Sequence, residues 1–194
     1  MFEPSYLVIA LGCFLAGSIP FAVVAMWGSE IDIRKVGSGN PGFNNVLRVS
    51  KSRAVIALLG DTGKGFLPVW WCALTGMPES WIWMYGFATV FGHCYSPWLK
   101  FNGGKGVATS AGVMLVLYPP WAAIALGFFL VIRIILGRWR WPEAGMIGSI
   151  STWVFFTILM VFYGGPMDVR NAGLMTLFIA WRHQKNFRNL WSLH

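Results

Sequence analysis

Runs of about 20 mostly apolar residues recur along this chain, separated by short polar gaps that carry most of its charge. A bilayer interior offers backbone N–H and C=O groups no partner, so such runs must close their own hydrogen bonds as helices. Charged residues make up only 11% of the sequence, against about 25% in soluble domains. The net charge of +8 is gathered in the gaps and does not form the basic face or tail of a nucleic-acid binder, so no nucleic-acid partner is expected. The pattern predicts an all-α integral membrane protein, folded as one transmembrane domain over 1–194.

Seven spans are expected, near residues 5–27, 53–76, 80–97, 106–119, 120–137, 144–164 and 169–183. Basic residues fall in alternate gaps: Arg34, Lys35, Arg48, Lys51 and Arg53, then Lys100 and Lys105, then Arg133, Arg138 and Arg140, then Arg182, Lys185 and Arg188. The opposite gaps hold Arg170 with Glu3, Glu79 and Asp168. The positive-inside rule then puts the N-terminus outside and the C-terminus in the cytoplasm, which requires an odd number of spans. Trp27, Trp81, Trp98, Trp121, Trp139, Trp141 and Trp181 fall near the expected helix ends, where an aromatic belt sits. Met1-Phe2-Glu3-Pro4-Ser5 has no basic leader, so the first apolar run reads as a retained helix. Cys13, Cys72 and Cys94 lie in or beside apolar runs without metal-ligand spacing, and read as packing residues.

The polar stretches that could carry chemistry all fall on the expected cytoplasmic side. Lys100-Phe101-Asn102-Gly103-Gly104-Lys105-Gly106 leads into Val107-Ala108-Thr109, a glycine-rich turn feeding a helix N-terminus. That arrangement suits an anion, most often phosphate; the plainer reading is a tight turn whose lysines only set topology. Residues 37–42 match G-x-G-x-x-G, but no strand precedes them, and Lys105 is followed by Gly106 rather than Ser or Thr. Neither a dinucleotide fingerprint nor a P-loop is present. The long gap over residues 28–52, with Ser38, Asn40, Asn44, Asn45 and Arg48, favours a structured role over a plain connector. Gly76-Met77-Pro78-Glu79 and Gly164-Gly165-Pro166-Met167-Asp168 read as plain outer turns.

Asp61 and Lys64 lie inside the second apolar run at i, i+3, on one helix face. Each would cost about 2.5–3.5 kcal/mol at mid-membrane, so they serve either as a structural ion pair or as ligands to a polar partner. His93, at the end of the third run, reads as a helix-end hydrogen-bonding group. Trp98 and Arg188 stand where H-x-x-x-x-D would need an aspartate after His93 and His183. His183 and Asn186 share a face at i, i+3. With no side-chain nucleophile evident, chemistry here would rest on binding, orientation and charge stabilisation.

Four segments, in this order, resemble the bacterial acyl-phosphate-dependent glycerol-3-phosphate acyltransferases. They are residues 37–48 (Gly-Ser-Gly-Asn-x-Gly…Asn-x-x-Arg), residues 61–65 (Asp-x-x-Lys-Gly), residues 92–109 (Gly-His…Lys-x-x-Gly-Gly-Lys-Gly-Val-Ala-Thr) and the His-x-x-Asn of residues 183–186. The resemblance implies a seven-helix, multi-pass protein of the bacterial plasma membrane that acylates glycerol 3-phosphate from acyl phosphate, giving lysophosphatidic acid. It implies that Ser38, Arg48, Lys105, His183 and Asn186 bind glycerol 3-phosphate. Gly103, Gly104, Gly106 and Thr109, with Asn40 and Asn45, would hold acyl phosphate; membrane lipids surround the helices, and neither cofactor nor metal is implied. The chain departs from the family pattern at Phe43-Asn44 (usually Ala-Thr), Asn102 (usually Lys), Asn189 (usually Arg) and residues 141–149, where Glu143 appears. These departures motivate a second expectation, a non-catalytic paralogue acting as a structural or lipid-binding subunit with a membrane-complex partner.

Overall fold

Helices occupy every apolar run, and none of the described residues forms a strand. A computed structural model describes residues 4–192; Glu3, counted above among the outer charges, lies outside them. Among the described residues, three stretches are long and apolar enough by themselves to cross a membrane: Ser5–Ala25, Pro119–Arg138 and Ala144–Tyr163. The chain divides into two compact units, Met1–Leu117 and Tyr118–His194.

In the first unit, α1 (Pro4–Ser18) and α2 (Phe21–Ala25) replace the single helix expected over 5–27. Pro20 lacks an N–H and cannot continue the ladder, so the helix breaks at residues 18–20. The carbonyls released there are answered from elsewhere in the unit. Ser96 Oγ donates to Ser18 O at 2.6 Å, and Lys64 Nζ donates to Ile19 O at 2.6 Å. The loop that follows contains α3 (Phe43–Val49), and then come α4 (Lys51–Leu74), α5 (Glu79–Cys94), a short 3-10 turn at Pro97–Leu99, and α6 (Val107–Leu117).

Tyr6 packs at a tilt on Trp81 near the start of both α1 and α5, and Trp98 Nε1 donates to Ser18 Oγ near their other end. Those two helices therefore run parallel. α4 runs against them, with Cys72 packed beside Tyr85 and Asp61 beside His93. Glycines let the backbones meet. A Cβ at Gly65 would overlap the Thr109 carbonyl oxygen, one at Gly112 the Thr62 carbonyl, and one at Gly17 the Thr89 carbonyl. Such close crossings by small residues are how helices associate where lipid removes most of the hydrophobic drive. A separate apolar cluster (Ala22, Met26, Ile33, Val46, Ala54 and Ala57 among it) binds α2, the loop and α3 to the first turns of α4. Arg53 adds two hydrogen bonds, to Ala25 O at 2.7 Å and Trp27 O at 2.8 Å.

In the second unit, α7 (Pro119–Arg138), α8 (Ala144–Tyr163) and α9 (Pro166–Arg182) pack in sequence, followed by a short α10 (Gln184–Trp191) that the sequence reading does not anticipate. Pro119 at N1 starts α7 without cost, because the first-turn N–H has no helical partner. Phe128 stacks on Phe155 at 4.5 Å between ring centres, and Thr157 and Thr176 hydroxyls meet at 2.9 Å between α8 and α9. Gly164 to Asp168 is more than the plain turn expected. The Asp168 carboxylate accepts from Gly165 N at 2.7 Å, capping α9, and accepts from the Tyr118 hydroxyl as well.

Candidate anion-binding site

The loop between α2 and α3 is built around Asn45. Gly37 and Gly39 take positive φ (+58° and +67°), which reverses the chain twice within three residues. Asn45, 1% exposed in the first turn of α3, binds the resulting curve from inside. Its Oδ1 accepts from Ser38 N at 3.0 Å, and its Nδ2 donates to Ile33 O at 2.9 Å and Val36 O at 3.0 Å. Both amide N–H groups are thereby used. The resemblance places Asn45 beside acyl phosphate; in the structure its side chain ties the loop together. Asn45→Ala leaves buried backbone groups unanswered. It is expected to lower stability by about 2–3 kcal/mol, read as a melting-temperature drop that Asn44→Ala, at an exposed position, does not reproduce.

What the loop presents is Ser38, Asn40 and Arg48. Ser38 is exposed, with Asn40 N donating to its Oγ at 3.4 Å. Arg48 is exposed in α3, and no carboxylate among the described residues lies within ion-pair distance of it. Nearby in the loop, the Arg34 guanidinium binds the Asp32 carboxylate at 2.8 Å and holds its pKa down at about 2. Phe43, one of the departures, packs on the apolar cluster under the loop.

The glycine turn closes onto the end of α5. Gly103 N donates to Cys94 O at 3.1 Å and Gly104 N to His93 O at 3.2 Å. Lys100 and Phe101 both hold positive φ (+51° and +60°), and Asn102 Nδ2 donates to Lys100 O at 3.2 Å across this bend. Gly106 (φ +82°) then starts α6, and Ser110 N makes the first helical bond back to Gly106 O at 2.8 Å. Helix geometry leaves the N–H groups of the first turn directed outward with a partial positive charge. Thr109 is fully buried in that turn, and its Oγ1 has no hydrogen-bond partner among the described residues. Lys105 is half-buried between two glycines. The turn can therefore offer N–H donors, a buried hydroxyl and an ammonium to one anion.

Beneath it lie Asp61, Lys64 and His93, all under a tenth exposed. Lys64 Nζ stands 2.8 Å from Asp61 Oδ1, and His93 Nδ1 3.5 Å from the same oxygen. Lys64 also supports the helix break at Ile19, so it serves as a structural ion pair with Asp61.

His183 and Asn186 belong to the second unit. His183 is 2% exposed where α9 meets α10, and its Nδ1 is 2.7 Å from Ile179 O. A carbonyl only accepts, so Nδ1 carries the proton and the ring orientation is fixed. Asn186 Nδ2 donates to Glu143 Oε2 at 2.6 Å, and Asn189 Nδ2 donates to Glu143 Oε1 at 3.0 Å. Two departures from the family pattern, at 143 and 189, are thus hydrogen-bonded to each other. Ser149 Oγ donates to Gly145 O at 2.7 Å within α8.

The comparisons with known proteins agree with each other. A family model described as glycerol-3-phosphate acyltransferase matches residues 7–193. The chain is 37% identical over 190 residues to a glycerol-3-phosphate acyltransferase of Pseudomonas paraeruginosa, covering 95% of each. It is 38% identical over 193 residues to one from Syntrophotalea carbinolica, covering 96% of this chain and 94% of the relative. Among solved structures, it is similar to PlsY (YgiH), an integral membrane glycerol 3-phosphate acyltransferase, in its glycerol 3-phosphate form. That match has a TM-score of 0.85 and 30% identity, covering 97% of this chain and 92% of the other. The lysophosphatidic acid form of the same protein gives 0.83 and 29%.

Proposed function

Since the chain belongs to the glycerol-3-phosphate acyltransferase family, we propose that it transfers a fatty acyl group from acyl phosphate to the 1-hydroxyl of glycerol 3-phosphate. The observation that carries this reading is the glycine turn, with its outward N–H groups, Lys105 and the unpartnered buried hydroxyl of Thr109. These groups suit an acyl phosphate, whose phosphate sits directly on the acyl carbon, better than a bulky thioester carrier, whose acyl carbon bears no anion. Gly106 and Thr109 hold the acyl phosphate with Asn40, and Gly103 and Gly104 shape the turn, their N–H groups donating to Cys94 O and His93 O. Ser38, Arg48 and Lys105 bind glycerol 3-phosphate, and Asn45 acts by shaping the loop that carries the first two. The resemblance assigns His183 and Asn186 to glycerol 3-phosphate as well.

In the reaction, the substrate hydroxyl oxygen attacks the acyl carbonyl carbon and the carbon–oxygen bond to phosphate breaks. The hydroxyl proton passes to a phosphate oxygen of the substrates, and inorganic phosphate leaves with the bonding pair. Lys105 and the turn N–H groups stabilise charge on the departing phosphate. The charge bias of the gaps supports seven spans in the plasma membrane, N-terminus outside, with the loop and the turn on the cytoplasmic side.

Purified protein in detergent or nanodiscs, given labelled glycerol 3-phosphate and palmitoyl phosphate, is expected to form lysophosphatidic acid and inorganic phosphate in equal amounts. Palmitoyl-CoA as the only donor is expected to give none. Product from the thioester alone would overturn the donor assignment. No product from either donor, where a relative is active, would overturn the catalytic reading.

A further inference from the structure

Gly104 poses a question that backbone conformation does not answer. Of the glycines in the turn, only Gly106 has the positive φ that excludes other residues; Gly103 and Gly104 do not. What excludes a side chain at 104 is the His93 ring, because a Cβ there would overlap Nε2. At 103 it is the His93 carbonyl oxygen. His93 thus meets the turn three ways: its carbonyl accepts from Gly104 N, the same oxygen bounds Gly103, and its ring bears on Gly104.

The far edge of that ring faces Asp61. His93 Nδ1 is 3.5 Å from Asp61 Oδ1, and both side chains are nearly inaccessible. Lys64 already balances Asp61 at 2.8 Å and is tied to the Ile19 carbonyl. Charge balance therefore does not require an imidazole at this carboxylate. Asp61 comes from α4, the helix whose Gly65 also fixes Thr109 of α6. One helix thus sets both ends of the turn, through the Thr109 carbonyl at one end and through the imidazole at the other.

We propose that Asp61 and His93 are positioning residues for the glycine turn: Asp61 orients the imidazole, and the imidazole fixes Gly104 and with it the N–H groups that take the donor phosphate. The assignment of the phosphate rests on the function proposed above; the contact between His93 and Gly104 does not.

The test is a double-mutant cycle on the full-length protein, using Gly104→Ala, His93→Ala and both together. Gly104→Ala pushes against the ring and is expected to raise KM for palmitoyl phosphate by about tenfold, with less change in KM for glycerol 3-phosphate. In the His93→Ala background the space is open, so adding Gly104→Ala is expected to cause no further loss. Fully multiplicative single effects, or an unchanged donor KM in His93→Ala, would overturn the proposal. Asp61→Asn alone leaves Lys64 buried without its carboxylate. Asp61→Asn with Lys64→Met removes that imbalance, and it is expected to raise the donor KM in the direction of His93→Ala. A donor KM equal to wild type in this pair would remove Asp61 from the proposal. If wild-type protein does not use acyl phosphate, the proposed function fails, and the His93–Gly104 cycle is read in melting temperature instead. Non-additive shifts there support the positioning contact, and additive shifts overturn it.

Discussion

Lys105→Ala is expected to lower kcat/KM at least about 100-fold while the protein still inserts, keeps its helical content and melts within a few degrees of wild type. The two halves of this expectation have separate causes. Lys105 is half-buried in a turn whose backbone is held by Gly103 N, Gly104 N and Ser110 N, so the fold does not depend on its aliphatic stem. Its ammonium, by contrast, is the charged group between Gly104 and Gly106, and charge-assisted hydrogen bonds are roughly twice as strong as neutral ones. That difference grows as the phosphate leaves and its charge rises. Lys105→Arg keeps the charge but replaces a compact ammonium with a planar fork, so partial activity is expected. Unchanged turnover in Lys105→Ala would show that the turn is structural only.

The largest effect on stability is expected at Gly65. A methyl group there meets the Thr109 carbonyl, which is backbone and cannot rotate away, so α4 and α6 must separate. Gly65→Ala is expected to cost about 3 kcal/mol, and Gly112→Ala, against the Thr62 carbonyl, a similar amount. Gly63 supplies the control two residues away. Nothing lies within 4 Å of a Cβ there, so Gly63→Ala is expected to gain about 0.5–1 kcal/mol through helix propensity alone. Melting curves of the three variants in one detergent test this. Equal shifts at 63 and 65 would mean that the crossing is looser than described. Because separating the helices also moves Thr109, Gly65→Ala is expected to lose activity before it unfolds.

Much of this was legible in the residues. Apolar runs located the helices because length and hydropathy are local properties, and the boundary expected between 119 and 120 fell at Pro119, which begins α7. The glycine turn was legible because closely spaced glycines with lysine are rare in an apolar chain. The role of Asn45 was not: its partners Ile33 and Val36 lie 12 and 9 residues upstream, beyond any local pattern. The available signal was an asparagine shortly after paired glycines, where amides bind turns. Glu143 with Asn189 was visible as two separate departures but not as a pair, since 46 residues separate them. The break at Pro20 was masked by apolar residues continuing on both sides, which hydropathy reads as one span.

That break has a consequence for biosynthesis. The side chains that answer the Ser18 and Ile19 carbonyls belong to residues 96 and 64, which the ribosome makes later. At about 5–20 residues per second, the first hairpin waits on the order of seconds for Lys64 and longer for Ser96. During that interval Ser18 O lacks its Ser96 partner, and Ile19 O holds only the local bond from Phe21 N at 3.1 Å. A chain truncated between residues 30 and 60 lacks both Lys64 and Ser96, so the bend is completed only once α4 and the segment after α5 have both been made.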